Sequence, residues 1–253
     1  MDSRIGAQYY TIRESCKTLE DFEESCKKVA QIGYKIVQLS GIGPLSAEDV
    51  KAVLDRYGLE AVVTHRSRED YEERLAETIA YHKTIGCKIA GIGCMPGFSS
   101  DRETVDSFIE KYTPIADELY RNGLVFAYHN HQIEFEKRDG RFVFDELAER
   151  TNPEHVKFIL DVYWLAYSGI DPAGFIRKYK DRIACVHFKD LGIVGREVKM
   201  FEVGYGNLDW DDIIEACREA NVAYALVEQD ECRRNPFESL KMSYDFLQEK
   251  GFH

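Results

Sequence analysis

No stretch of this 253-residue sequence approaches the ~18 consecutive apolar residues that a membrane-crossing helix needs. The opening residues, MDSRIGAQYY, contain no apolar run resembling a secretory leader. Positive charge is in deficit: 33 Lys and Arg stand against 45 Asp and Glu, a net charge of −12. Nucleic-acid binding draws most of its strength from cations on phosphates, so a nucleic-acid partner is disfavoured. The 7 cysteines are odd in number and none are spaced C-x-x-C, which argues against a structural zinc site or a disulfide framework. A reducing cytoplasm is the expected location. No low-complexity or linker-like segment divides the chain, so one domain over 1–253 is expected.

What is present is an alternation. Short apolar runs are each followed by a segment of helical period. The runs are Ile5–Tyr10, Lys35–Ser40, Glu60–His65, Lys88–Cys94, Leu124–His131, Val156–Trp164, Ile183–Lys189 and Ala223–Gln229. The helices are expected near 18–32, 46–57, 70–85, 104–121, 144–150, 172–179, 210–220 and 236–249. Gly33 and Gly58 read as helix stops, and Ser46 followed by Asp49 reads as a start. Strands that alternate with helices pair in parallel with the helices outside. Eight such units close a (β/α)₈ TIM barrel, for which about 250 residues is ordinary. An open doubly wound sheet would carry a glycine-rich loop after its first strand. Here that place reads Tyr9-Tyr10-Thr11-Ile12-Arg13.

In such a barrel the active site forms at the C-terminal strand ends. The sixth run, Phe158-Ile159-Leu160-Asp161, sets one carboxylate in a strand buried on both faces. A lone buried carboxylate is costly unless it is paired or binds a metal. The seventh run delivers His187 to the matching place, and the eighth delivers Glu228. Three consecutive strands thus offer one ligand each, a mixed set that suits one divalent ion of Mn, Zn, Co or Fe, with Mg also open. On the fifth run His129 and His131 share a face. Each is a candidate to complete the metal shell or to act as general acid or base, and His131 also to hold another ligand by a hydrogen bond.

Weaker candidates surround these. Gln8 and Tyr10 end the first run and are expected to hydrogen-bond sugar hydroxyls. His65 ends the third run. Glu134 either curls back over the site or sits in a solvated loop. Lys189 either stabilises an oxyanion beside the metal or reaches solvent from a strand end. Trp164 is one of several aromatics that are either core or stack on a sugar face. Gly91-Ile92-Gly93 reads as a tight loop, since the helix of a dinucleotide fingerprint is missing. Gly204-Tyr205-Gly206 precedes a helix capped by Asp209 and is also a candidate mobile lid.

These stretches, above all Tyr128-His129-Asn130-His131, Leu160-Asp161-Val162, Val186-His187-Phe188-Lys189-Asp190 and Val227-Glu228-Gln229-Asp230, resemble the sugar phosphate isomerase/epimerase family with the xylose-isomerase-like barrel. The resemblance spans essentially the whole chain. It implies a metal held by Glu, Asp, His and Glu from strands five to eight. Asp161, His187 and Glu228 match the last three, while His129 stands where many members have glutamate. The two glutamates of family epimerases act as a paired acid and base, so simple two-base epimerisation is put in question. The histidine-rich fifth strand is more similar to inosose dehydratase-type members, which eliminate water from a keto-cyclitol.

The leading expectation is therefore a divalent-metal-dependent isomerase or epimerase of a small sugar or keto-sugar, acting through a metal-stabilised enediolate. The alternative is a metal-dependent dehydratase or lyase on a keto-sugar or keto-cyclitol. Glu228, His129, His131 and Lys189 are the catalytic candidates. An abasic-site endonuclease shares the barrel but is disfavoured by the negative charge, and a metal-free sugar-binding protein is the remaining competitor. The expected partner is a small-molecule sugar, with no nucleic acid and no membrane, and room is left for a homo-oligomer.

Overall fold

The computed structural model describes residues 2–253. Its centre is a closed barrel of eight parallel strands, here β1 (Ile5–Gln8), β2 (Ile36–Leu39), β3 (Glu60–His65), β4 (Ile89–Ile92), β5 (Val125–His129), β6 (Val156–Asp161), β7 (Ile183–Phe188) and β8 (Tyr224–Val227). Each strand pairs with its sequence neighbours, and β8 closes the ring on β1. Helices fill the crossovers and cover the outside. The helix Leu19–Ile32 buries Phe22, Cys26 and Val29, three and four residues apart, as one face of a 3.6-residue period requires. Ser46 accepts from the Asp49 N–H at the start of the helix Ala47–Tyr57, and Gly58 ends it with φ +66°. Among the described residues no helix is long and apolar enough to cross a membrane.

The barrel interior is layered. Ile36, Val63, Ile89, Ala127, Ile159, Cys185 and Leu226 form one buried apolar plug. A side chain two residues further along each strand points the same way, one layer nearer the C-terminal mouth. That upper layer reads Gln38, His65, Gly91, His129, Asp161, His187 and Glu228, with Gln8 above Gly6 on β1. Gly6 has no room for a side chain, because a Cβ there would lie 2.1 Å from Leu226 Cδ2.

Several expectations change. β1 stops at Gln8, whose side-chain oxygen accepts from the Tyr10 N–H and opens a 3₁₀ turn over Tyr9–Ser15. The sixth run does not continue to Trp164. Asp161 accepts from the Tyr163 and Trp164 N–H groups and starts a helix over Val162–Tyr167. The helix expected over 70–85 is two helices, Arg68–Glu72 and Leu75–Ile85, the first begun by a Ser67–Asp70 capping box. Two unforeseen hairpins join Lys137–Arg138 to Arg141–Phe142 and Asp190–Val194 to Glu197–Phe201.

Candidate active site

Four side chains of the upper layer converge at the barrel mouth: His129 from β5, Asp161 from β6, His187 from β7 and Glu228 just past β8. All are buried, and one donor atom of each lies within 4.8 Å of the others. His129 Nε2 is 3.5 Å from Asp161 Oδ2. His187 Nδ1 is 4.0 Å from the same oxygen and 2.9 Å from Glu228 Oε2.

The other polar atoms of these residues are already engaged. His129 Nδ1 meets the Gly93 carbonyl at 3.3 Å. Asp161 Oδ1 accepts from the Tyr163 N–H at 2.9 Å, and the Asp161 N–H donates to Asn130 Oδ1 at 3.0 Å. His187 Nε2 meets Gln38 Oε1 at 2.7 Å. Gln8 Nε2 donates to Glu228 Oε1 at 2.9 Å. His129 Nε2 and Asp161 Oδ2 are buried with no hydrogen-bond partner. Orphaned buried polar atoms are rare because each forfeits its hydration. Two on adjacent strands, beside the hydrogen-bonded pair His187 Nδ1 and Glu228 Oε2, fit a divalent cation, whose ligands at about 2.0–2.2 Å would stand about 3–3.5 Å apart. The cluster can hold a metal ion.

Lys189 lies behind it and is 1 % exposed, so the reading of a lysine reaching solvent is set aside. Its Nζ is 2.7 Å from Asp230 Oδ2, 3.3 Å from Asp161 Oδ2 and 3.5 Å from Glu228 Oε2. Burial works to lower its pKa, but the three carboxylates outweigh burial and hold the ammonium well above its ordinary value. Burial works to raise Glu228 as well, yet Lys189 and His187 outweigh it and keep that carboxyl well below the usual range. For Asp161 burial dominates and the pKa is raised. Burial also pushes Asp230 up to about 6. His129 is pulled down to about 3 and His131 to about 2, by burial first and neighbouring positive groups second, so both are neutral near pH 7.

A cavity of about 570 Å³ opens over the cluster, lined in part by Tyr10, His65, His129, His131, Trp164 and Glu228. That is within the range of small-molecule sites. The His131 ring sits 4.6 Å from Phe98 and 5.5 Å from Trp164. Arg13, with its guanidinium 4.2 Å over the Tyr10 ring, and Asp230 also line the cavity. Neither was singled out in the sequence, although Asp230 follows Glu228 at the two-residue spacing that keeps a face.

Three expectations are corrected. Gln8 does not present itself to a sugar: it is fully buried, and both ends of its amide are used by Glu228 and the Tyr10 N–H. Glu134 neither covers the site nor lies in solvent. It is fully buried, accepting from the Tyr128 hydroxyl and, at 2.7 Å, from the His131 N–H. Gly204–Gly206 is not a loose lid. Asp190 accepts from the Gly204, Gly206 and Leu208 N–H groups and from Trp210 Nε1. Gly204, at φ +87°, leaves no space for a Cβ against the Phe246 ring 2.4 Å away.

Residues 26–250 match the family described as xylose isomerase-like TIM barrel. The chain belongs to that family. An inosose dehydratase of Clostridium tetani (strain Massachusetts / E88) is 30% identical over 267 residues, covering 91% of this chain and 90% of its own. One from Lacticaseibacillus casei is 25% identical over 259 residues, covering 86% and 85%. A sugar phosphate isomerase/epimerase from Parabacteroides distasonis ATCC 8503 superposes with a TM-score of 0.81 at 24% identity, covering 97% of this chain and 98% of that one. At that identity the superposition speaks for the fold alone. Isomerase/epimerase and dehydratase relatives thus share this barrel.

Proposed function

We propose that this barrel is a divalent-metal-dependent isomerase or epimerase of a small keto-sugar, and that it works by moving the proton α to the carbonyl. The observation that carries the reading is the convergence of one donor atom each from His129, Asp161, His187 and Glu228 at the cavity floor, two of them without a hydrogen-bond partner. These four would hold the ion, and their mixed imidazole and carboxylate character suits Mn, Zn, Co, Fe or Mg. When bound, the ion supplies Lewis-acid polarisation of the substrate carbonyl and its neighbouring hydroxyl.

The chain's own residues divide the remaining work. Glu228 borders the cavity, is kept ionised by Lys189 and is oriented by Gln8, so it is the base that takes the α-proton. Lys189 does not border the cavity. It acts through Asp161 and Glu228, opposing the burial that favours their protonated forms and prevailing at Glu228. The proton that Glu228 has taken is the one it returns to substrate, and neutral His131 on the cavity wall hydrogen-bonds a substrate hydroxyl. Tyr10, His65 and Trp164 meet sugar hydroxyls and ring faces.

Dehydration of a keto-cyclitol or keto-sugar is the second reading. His129 favours it, because an imidazole replaces one carboxylate of the two-carboxylate epimerase pattern, and so does the likeness to inosose dehydratases. The two share the first proton transfer and part at the second. Metal-loaded protein incubated in deuterated water with inosose and with simple ketoses separates them. Deuterium at the α-carbon with every oxygen retained supports isomerisation or epimerisation. An unsaturated product supports dehydration. Turnover that survives complete chelation would sink both.

A further inference from the structure

Gln38 is fully buried on β2, an amide in a strand whose other residues, Ile36, Val37 and Leu39, are apolar. Its Nε2 has no hydrogen-bond partner. An amide in that state is costly compared with an apolar residue of the same size, so packing alone gives no reason for it. Its Oε1, by contrast, lies 2.7 Å from His187 Nε2. A carbonyl oxygen only accepts, so the imidazole proton is on Nε2. The other nitrogen, Nδ1, faces the carboxylates, in hydrogen-bond contact with Glu228 Oε2 at 2.9 Å and 4.0 Å from Asp161 Oδ2. A cation bound there displaces any proton held on Nδ1, while the proton on Nε2 stays with Gln38.

We infer that Gln38 is a positioning residue that fixes His187 as the Nε2–H tautomer, so that Nδ1 is presented as a ready metal ligand. The inference rests on the metal reading of the site. Gln38 touches neither substrate nor ion. A hydrogen-bond partner on the far nitrogen of a ligating histidine sets its tautomer and ring angle and raises its basicity. Carboxylates and backbone carbonyls usually fill that role. A neutral glutamine does so here without adding a further negative charge beside Asp161, Glu228 and Asp230.

The test compares the wild type with Gln38→Leu and Gln38→Glu by Zn²⁺ affinity, measured against a competing chelator, and by the ¹⁵N signals of the imidazole rings. Gln38→Leu keeps the volume but removes the acceptor. It should lower Zn²⁺ affinity about 10- to 100-fold and split the His187 ring signals toward a mixture of tautomers. Its metal-free melting temperature should stay close to wild type, because one orphaned polar group replaces another. Gln38→Glu keeps the acceptor and should retain wild-type affinity or better. Wild-type affinity in Gln38→Leu, loss in Gln38→Glu equal to that in Gln38→Leu, or a wild-type His187 without a proton on Nε2 would each overturn the inference. The last is read without any variant, so a folding failure does not shelter it. A wild type that binds no divalent ion refutes instead the metal reading beneath it.

Discussion

His129 Nε2 and Asp161 Oδ2 face one another across 3.5 Å from adjacent barrel strands, both buried and both without a hydrogen-bond partner. The Lys189 ammonium, 3.3 Å away, compensates the charge of Asp161 Oδ2 but leaves His129 Nε2 without a partner, and a cation in the gap would engage both atoms. Asp161→Asn tests this. The amide preserves the shape and can still accept from the Tyr163 N–H, but it gives up the charge facing His129. Divalent-ion affinity should fall by more than the about 10- to 100-fold typical of a supporting residue, and turnover should fall with it. Isothermal titration of the variant against wild type reads the first effect directly. Undiminished affinity in Asp161→Asn would remove Asp161 from the ligand set.

Lys189 holds together a cluster that would otherwise repel itself. Three carboxylates lie within 3.5 Å of its Nζ. Removing one partner from a buried ion network leaves uncompensated charge and costs about 3–5 kcal/mol. Lys189→Met should therefore lose about that much stability in the metal-free protein. A divalent ion restores the missing charge, and at 100 times its dissociation constant it contributes about 2.7 kcal/mol. The rise in melting temperature on adding Mn²⁺ or Zn²⁺ should accordingly be larger in Lys189→Met than in wild type. Equal rises in the two proteins would show that the ammonium and the ion do not share a site.

The strands were readable because each is an apolar run, most with a polar residue near the C-terminal end, and alternation alone assigns those residues to one face. Asp161, His187 and Glu228 stood out for that reason. Gln38 sends the same signal, a polar residue inside a buried strand, yet an uncharged amide is not conspicuous beside a carboxylate. The limits of β6 were illegible because Val162–Leu165 stays apolar after the strand has ended. Only the Asp161 cap separates strand from helix there, and an apolar run reads the same in either. Glu134 shows the opposite failure. Its exposure depended on where a short turn sends one side chain, which no periodicity records. The hairpin Asp190–Phe201 left a trace in Gly195, whose φ of +63° makes the turn between its strands.

Glu134 predicts a pH dependence of stability. Burial pushes its carboxyl up to about 7 from 4.5, against the hydrogen bonds from Tyr128 and the His131 N–H that work to lower it. Between those values the folded chain holds a proton that the unfolded chain has released. Stability from this group is therefore greatest below pH 4.5, declines as pH rises toward 7 and is level above that. The loss is on the order of 3 kcal/mol across that window. Glu134→Gln cannot titrate, so the difference between its urea-unfolding free energies at about pH 5 and about pH 8 should be smaller than in wild type by that order. A variant with the full wild-type slope would assign the pH dependence to other groups.

Asp190 makes the strongest prediction about rigidity, because one buried carboxylate anchors the whole segment between the hairpin and the next helix. Its Oδ2 accepts from the Gly204 and Gly206 N–H groups and Trp210 Nε1, while its Oδ1 accepts from the Leu191 and Leu208 N–H groups. Only a carboxylate presents acceptors in both directions. In Asp190→Asn either orientation of the amide turns its NH₂ against donors. At least two N–H groups lose their partners, at about 1–3 kcal/mol each. Gly206→Ala attacks the same contact from the loop side, since a Cβ there would lie 2.3 Å from Asp190 Oδ1. Both variants should speed hydrogen exchange at Gly204, Gly206 and Leu208 by one or more orders of magnitude while leaving the amides of β5 and β6 protected. Because Asp190 directly follows Lys189, divalent-ion affinity should fall modestly in both. Unchanged exchange over 204–208 in both variants would mean that the loop is held by packing against Phe246, with the carboxylate a bystander.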